Sequence, residues 1–124
     1  MTLAGNRAIA SLTAIIDLPV KLQNVEGTLS THARFLYRAE RRGERWGILG
    51  FDAIYMRDEL TPSIPGEHIS IGREEVRDFR ASYRMLSYYL RSQGYDIDPN
   101  LAGEDRADLV EALNRELSSW MAMR

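Results

Sequence analysis

Two long runs of aromatic and aliphatic residues on either side of a tight-turn signal constrain the fold of this chain most. Residues 28–41 and 45–56 contain two of the three phenylalanines, together with Leu, Ile, Tyr and Trp residues. They flank Arg42-Gly43, and glycine readily adopts the positive φ that a two-residue hairpin turn requires. The pattern therefore predicts a β-hairpin that turns at Arg42-Gly43.

That turn position assigns side chains to the two faces of the sheet. It would place Arg34 opposite Phe51 and His32 opposite Ala53, and side chains alternate between faces along a strand. One face would then carry His32, Arg34, Leu36, Leu49, Phe51, Ala53 and Tyr55. The other would carry Ala33, Phe35, Tyr37, Trp46, Ile48, Asp52 and Ile54. Because both sets are largely apolar, we expect helices to cover one face and a further sheet or subunit to cover the other.

The remaining patterns predict a single α+β domain over residues 1–124, with a curved antiparallel sheet followed by C-terminal helices. Strands should occupy about 8–58, and a loop interrupted by two prolines should occupy 59–72. Apolar residues recur at helical spacing over about 73–93 and 105–122. Gly94 is placed to cap the first of these helices, and Asp105 with Asp108 suggests a capping box at the start of the second.

Composition excludes several classes of protein. The chain has no cysteine, which rules out disulfide frameworks, thiolate catalysis and cysteine-ligated metals, and it favours a cytoplasmic location. No stretch is apolar and long enough to span a membrane. Five arginines crowd residues 34–45, but the net charge is −2 and Glu40 and Glu44 dilute the cluster. We therefore expect neither a nucleic acid nor a membrane as partner.

Specific segments resemble a known superfamily. Residues 31–46 (THARFLYRAERRGERW) and 51–62 (FDAIYMRDELTP) are similar to the closing strands of SnoaL-like members of the nuclear transport factor 2-like superfamily. Residues 79–84 (FRASYR) and 101–106 (LAGEDR) resemble a C-terminal extension found in some uncharacterised members. The resemblance implies a cone-shaped α+β domain. It leaves function open, because the superfamily contains isomerases, dehydratases, hydrolases, cyclases and non-enzymatic domains.

The resemblance also implies two departures from typical members. Ketosteroid isomerases place a protonated carboxylic acid at the position that Leu36 occupies here, and an aliphatic side chain cannot donate a hydrogen bond to an oxyanion. Typical members also begin with helices that close the wide end of the cone, whereas here nothing precedes the strand at Ala8. Either the chain starts downstream of the usual domain start, or a partner subunit closes the apolar face.

The face predicted to carry His32 is the candidate ligand site. His32 and Tyr55 are the candidate catalytic residues, because histidine can exchange protons near neutral pH and a phenol can donate to a substrate oxygen. Arg34 would bind an anionic group. The other candidate ligand-binding residues are Leu36, Leu49, Phe51 and Ala53. The structural alternative is that these side chains serve only packing and ion pairing, since no carboxylate that would orient His32 is identified.

Other polar groups favour structural roles. Asp52 should be buried on the opposite face and paired with Arg7 or with an arginine of another strand. The acidic and histidine residues of the loop lack the regular spacing of a metal site, so we expect no metal and no cofactor. These loop residues are Asp58, Glu59, Glu67 and His68.

Two functions follow as hypotheses. The first is a cofactor-independent domain that binds a small apolar molecule, with isomerase, dehydratase or cyclase-type acid-base chemistry at His32 and Tyr55. The second is a non-catalytic dimerisation or accessory module. In either case we predict a homodimer, because an exposed face bearing Phe35, Trp46, Ile48 and Ile54 would be too apolar for a soluble monomer.

Overall fold

Four antiparallel strands form one curved sheet whose strand order follows the chain. The computed structural model describes residues 1–123. The strands are β1 (Thr2–Ala4), β2 (Arg7–Leu22), β3 (Val25–Arg42) and β4 (Arg45–Pro62). They are followed by α1 (Arg73–Val76), a 3-10 helix (Ala81–Tyr83), α2 (Arg84–Ser92) and α3 (Ala107–Ala122). The predicted α+β class, a curved antiparallel sheet followed by C-terminal helices, is confirmed.

Residues with positive φ make the tight turns between these long strands. Gln23 and Asn24 have φ of 53° and 63° between β2 and β3. Gly43 has φ of 68° between β3 and β4, as its sequence position predicts. The turn itself comprises Gly43 and Glu44, because Arg42 pairs with Arg45. The predicted turn at Arg42-Gly43 was therefore one residue too early.

The register of the β3–β4 hairpin also differs from the prediction. Arg34 lies opposite Ile54 rather than Phe51, and His32 lies opposite Arg57 rather than Ala53. Two irregularities contribute. The pairing shifts between Arg38 and Ala39 and again between His32 and Ala33, which leaves Leu49 and Met56 of β4 without a partner. Each is a β-bulge, in which one strand contains an extra residue.

The two predicted faces were therefore wrong in composition. In the central part of the hairpin the shift is three residues, and any odd shift moves a strand's side chains to the other face. His32, Arg34 and Leu36 share a face with Asp52 and Ile54. The opposite face carries Ala33, Phe35, Tyr37, Phe51, Ala53 and Tyr55.

The helical region is less regular than its apolar spacing suggests. The helix predicted over 73–93 is interrupted over residues 77–80, and the backbone of Arg80 is extended (φ −63°, ψ 132°). Gly94 has φ of +87°, as expected after a helix end. The last helix begins at Ala107 rather than near Asp105. No side chain caps that helix, because the Asp105 carboxylate instead accepts hydrogen bonds from Arg80 and Ser82.

Helices pack against both faces of the sheet. Leu117 of α3 forms a core cluster with Leu36 and Ile54, and we name this side the α3 face. On the opposite face the Tyr83 ring packs against the Tyr55 ring, with 5.0 Å between centroids. The chain passes from one face to the other around the edge of β4. There the Tyr55 N–H donates to the Ala102 carbonyl at 3.0 Å, and Glu104 N–H donates to the Tyr55 carbonyl at 2.8 Å.

Candidate apolar binding surface and edge groove

An apolar surface covers much of the sheet face opposite α3. We define it by residues that pair across three strands: Ala10, Leu12, Ile16 and Leu18 of β2, Phe35 and Tyr37 of β3, and Trp46, Ile48 and Phe51 of β4. On β2 every side chain of this face from residue 8 to residue 18 is Ala, Leu or Ile. The surface is thus continuous along the strand as well as across it.

Large side chains of the apolar surface are exposed to solvent. Leu12 is 55% exposed, Phe51 60% and Ile48 70%. The Phe51 ring contacts its neighbours Phe35 and Tyr37, with ring centroids 6.0 Å and 5.7 Å away. These contacts order the aromatic rings without removing them from water. Contiguous exposed apolar area of this kind marks an interaction site on most proteins.

The structure separates the candidate catalytic residues. His32 lies on the same side of the sheet as Leu36, mostly buried, with Nε2 3.7 Å from a carboxylate oxygen of Glu59. Tyr55 lies on the other side against Tyr83. His32 of β3 and Tyr55 of β4 thus lie on opposite faces of the sheet, so a single small substrate would contact only one of them.

The other candidate ligand residues divide in the same way. Arg34 is exposed on the α3 face, where it lines a cleft with Thr13 and Ile54, and Leu36 is buried beneath α3. Leu49 is the exposed bulge residue. Three residues stay together on the other face: Phe51, Ala53 and Tyr55.

These three residues line a groove along the edge of β4. The groove has a volume of about 460 Å³, and its other wall is formed by residues 100–102 and the α3 side chains Leu109, Ala112, Leu113 and Glu116. Burial raises the pKa of the Tyr55 hydroxyl, and the neighbouring Tyr83 raises it further. The phenol is therefore protonated at neutral pH and can act as a hydrogen-bond donor.

Asp52 pairs with an arginine of another strand, as the sequence predicted, although it lies on a different face from the predicted one. Its carboxylate lies 3.4 Å from Nη2 of Arg38, which comes from the neighbouring strand β3. The two side chains are partly exposed, and Asp52 lies opposite Leu36 on the α3 face. The ion pair connects β3 to β4 outside the apolar surface, and Asp52 also lines the edge groove.

Asp58 is a half-buried carboxylate whose role the sequence does not reveal. It accepts hydrogen bonds from the backbone N–H groups of Met85 and Leu86 at 3.0 and 2.8 Å. These are free donors in the first turn of α2, so Asp58 holds that helix against β4. Burial is the main cause that raises its pKa, and the two backbone hydrogen bonds and Arg84 oppose the shift. Asp58 lies two residues beyond the bulge at Met56, so the alternation of side chains along β4 does not reveal from the sequence which face it is on.

Residues 1–123 contain neither a cluster of metal-ligating side chains nor a membrane-spanning helix. No cluster of three or more His, Asp or Glu side chains in that range could hold a metal ion. The same residues include no helix with the length and hydropathy needed to cross a lipid bilayer.

Comparison with known proteins gives one distant relative and no family assignment. No protein-family model matches the chain. A PEP2-like protein of the fungus Fusarium vanettenii is 28% identical over 124 aligned residues. The alignment includes 94% of this chain and 53% of that protein, so the chain spans about half the length of the curated relative that it matches. At this level of identity the relative shows similarity without establishing a family.

Proposed function

We propose that this chain is a SnoaL-like domain of the nuclear transport factor 2-like superfamily that acts as an association module. A second copy of the chain would pack on the apolar surface. The exposed, continuous apolar character of that surface is the observation that carries the proposal. A cytoplasmic location accompanies it, which the cysteine-free composition suits. The curved sheet and the segments similar to SnoaL-like closing strands support the family part of the proposal.

The size and chemistry of the apolar surface favour a second copy as the occupant. At about 3.4 Å per residue along β2 and 4.8 Å per strand, the surface measures on the order of 500 Å². Two copies would thus bury about 1,000 Å², near the lower limit for a specific interface. An isologous dimer places the same patch on both subunits, and a patch of Leu, Ile and aromatic side chains is complementary to itself.

The separation of His32 and Tyr55 weighs against the enzymatic hypothesis in its original form. The two side chains are on opposite faces, and His32 contacts Glu59 on the α3 face. Acid-base chemistry shared by these residues is therefore not part of the proposal.

Leu12→Arg tests the association. An arginine in the middle of the apolar surface would have to be desolvated on pairing, so we expect the dissociation constant to rise by roughly 30-fold, which is about 2 kcal/mol. Analytical ultracentrifugation over a concentration series measures this constant for the wild type and the variant.

Ile15→Arg is the matched control. Ile15 is on the same strand, is 58% exposed against 55% for Leu12, and lies on the α3 side of the sheet opposite His32. We expect this variant to dimerise like the wild type. A wild-type chain that stays monomeric at all concentrations, or equal weakening by both variants, would contradict the proposal. In the first case another apolar partner, including a further segment of a longer protein, would become the alternative occupant.

A second candidate function is the binding of a small apolar molecule in the edge groove. The specific observation in its favour is that Phe51, Ala53 and Tyr55 line one cleft with α3. Its volume of about 460 Å³ is within the range of ligand pockets, which is about 300–1,000 Å³. Tyr55 would supply a hydrogen-bond donor to the ligand.

A further inference from the structure

A second cavity lies between the end of β4 and the helical region, away from the apolar surface. It has a volume of about 680 Å³. Its apolar lining consists of Leu60, Ile69, Ile71, Val76 and Met85. Its polar lining consists of three arginines, Arg73, Arg77 and Arg84, with no acidic side chain from the described part of the chain.

The three arginines differ in how well their charges are compensated. Arg77 forms an exposed ion pair with Glu74 at 2.9 Å. Within residues 1–123, Arg73 and Arg84 take part in no ion pair shorter than 4.0 Å. The Asp58 carboxylate is close enough to Arg84 to interact electrostatically, but its oxygens are occupied by the N–H groups of Met85 and Leu86. The cavity therefore retains positive charge.

Arg84 also has a donor that the fold leaves unused. Its Nε is buried and has no hydrogen-bond partner among residues 1–123. A buried donor without a partner costs about 1–3 kcal/mol, so such groups are rare unless a ligand or water satisfies them. Since Arg84 lines the cavity, an anion bound there could accept this hydrogen bond.

We infer that this cavity binds an amphipathic carboxylate, with the carboxylate at Arg84 and Arg73 and the hydrocarbon part against the Ile and Leu side chains. Guanidinium groups bind carboxylates through paired hydrogen bonds, which accounts for the arginines. The apolar lining accounts for a ligand that is more than a simple anion. The inference concerns a different region from the apolar surface, so it stands or falls independently of the association.

Titration calorimetry of the full chain with octanoate tests the inference. We expect octanoate to bind, and Arg84→Gln to lower its affinity at least about tenfold, because a hydrogen bond to a charged group is lost. Arg84→Lys retains the charge and should bind with intermediate affinity. Octan-1-ol and inorganic phosphate are the ligand controls, and each should bind at least about tenfold more weakly than octanoate.

Arg45→Gln is the matched protein control, since Arg45 is exposed beside the hairpin turn. Its affinity for octanoate should equal that of the wild type. A ¹H–¹⁵N spectrum of the wild type should also show the Arg84 Nε–H signal shifting on addition of octanoate, and this result does not depend on whether the variant folds. Absent octanoate binding, unchanged affinity in Arg84→Gln, or phosphate binding as tight as octanoate binding would overturn the inference.

Discussion

Replacing Arg80 with alanine should be among the most destabilising single changes in this domain. The Arg80 guanidinium donates to both Asp105 carboxylate oxygens, at 2.8 and 2.6 Å. It also donates to the carbonyls of Pro99 and Leu101, at 2.8 and 3.0 Å. These bonds connect the segment before α2 to the segment that rounds the edge of β4. Arg80 therefore couples the helices on the two faces of the sheet.

The expected loss follows from what the Arg80→Ala change leaves behind. Asp105 would keep the hydrogen bond from Ser82 but lose its charged partner, and its side chain is only 22% exposed. Breaking one partner of a mostly buried ion pair costs about 3–5 kcal/mol. Water can reach part of this site, so we expect about 3 kcal/mol in the free energy of unfolding. Urea denaturation at pH 7, followed by circular dichroism, measures it.

The pair between Arg106 and Asp108 provides a matched comparison. It has the same two-bond geometry, with distances of 2.9 and 2.8 Å, but its side chains are 41% and 65% exposed. Exposed pairs contribute little, so Arg106→Ala should leave the unfolding midpoint almost unchanged. Similar midpoints for Arg80→Ala and Arg106→Ala would refute the reasoning, because burial would then not determine the contribution of the pair.

Two further predictions concern acid stability and the edge groove. The hydrogen bond from Arg80 lowers the pKa of Asp105 well below its usual range. The ionised Asp105 therefore stabilises the folded state fully above the unfolded-state pKa of about 3.9, and this contribution is lost as pH falls towards the folded-state pKa. The difference in unfolding free energy between wild type and Asp105→Asn, measured by urea titration, should therefore be constant above about pH 5 and shrink below about pH 4; a difference that does not vary with pH would contradict this. In the edge groove, Ala112→Phe should abolish any thermal shift that a panel of steroids, terpenoid epoxides and aromatic polyketides produces, whereas Glu26→Gln, which is exposed elsewhere, should not; an equal shift in Ala112→Phe would place the ligand outside the groove.

The sheet could be predicted because its signals are local. Aromatic and branched residues on either side of Gly43 specify a hairpin. The apolar character of both faces predicts a cover for each, and for the apolar surface that cover stays a prediction. The α3 face has one in Leu117 and its neighbours. The class of fold follows from these patterns together with the helical spacing of apolar residues after Pro65.

The candidate site could not be predicted because it depends on register. A bulge inserts one residue without any change in composition, and neither Leu49 nor Met56 stands out from its neighbours in the sequence. Arg80 presents a similar problem. The apolar spacing continues from α1 across Arg80 to α2, whereas the Arg80 guanidinium binds carbonyls about 20 residues away, and only these tertiary contacts reveal the break between the two helices.

The two bulges also determine which side chains act together. Ile48 and Phe51 are three residues apart and would point to opposite faces of a regular strand, but the extra residue Leu49 brings both onto the apolar surface. The extra residue Met56 likewise brings Tyr55 and Asp58 onto one face. On that face Tyr55 packs against the Tyr83 ring, and Asp58 accepts a hydrogen bond from α2. The irregular pairing of β4 thus divides one face into a part that contacts this chain's own helices and a part whose large apolar side chains stay exposed.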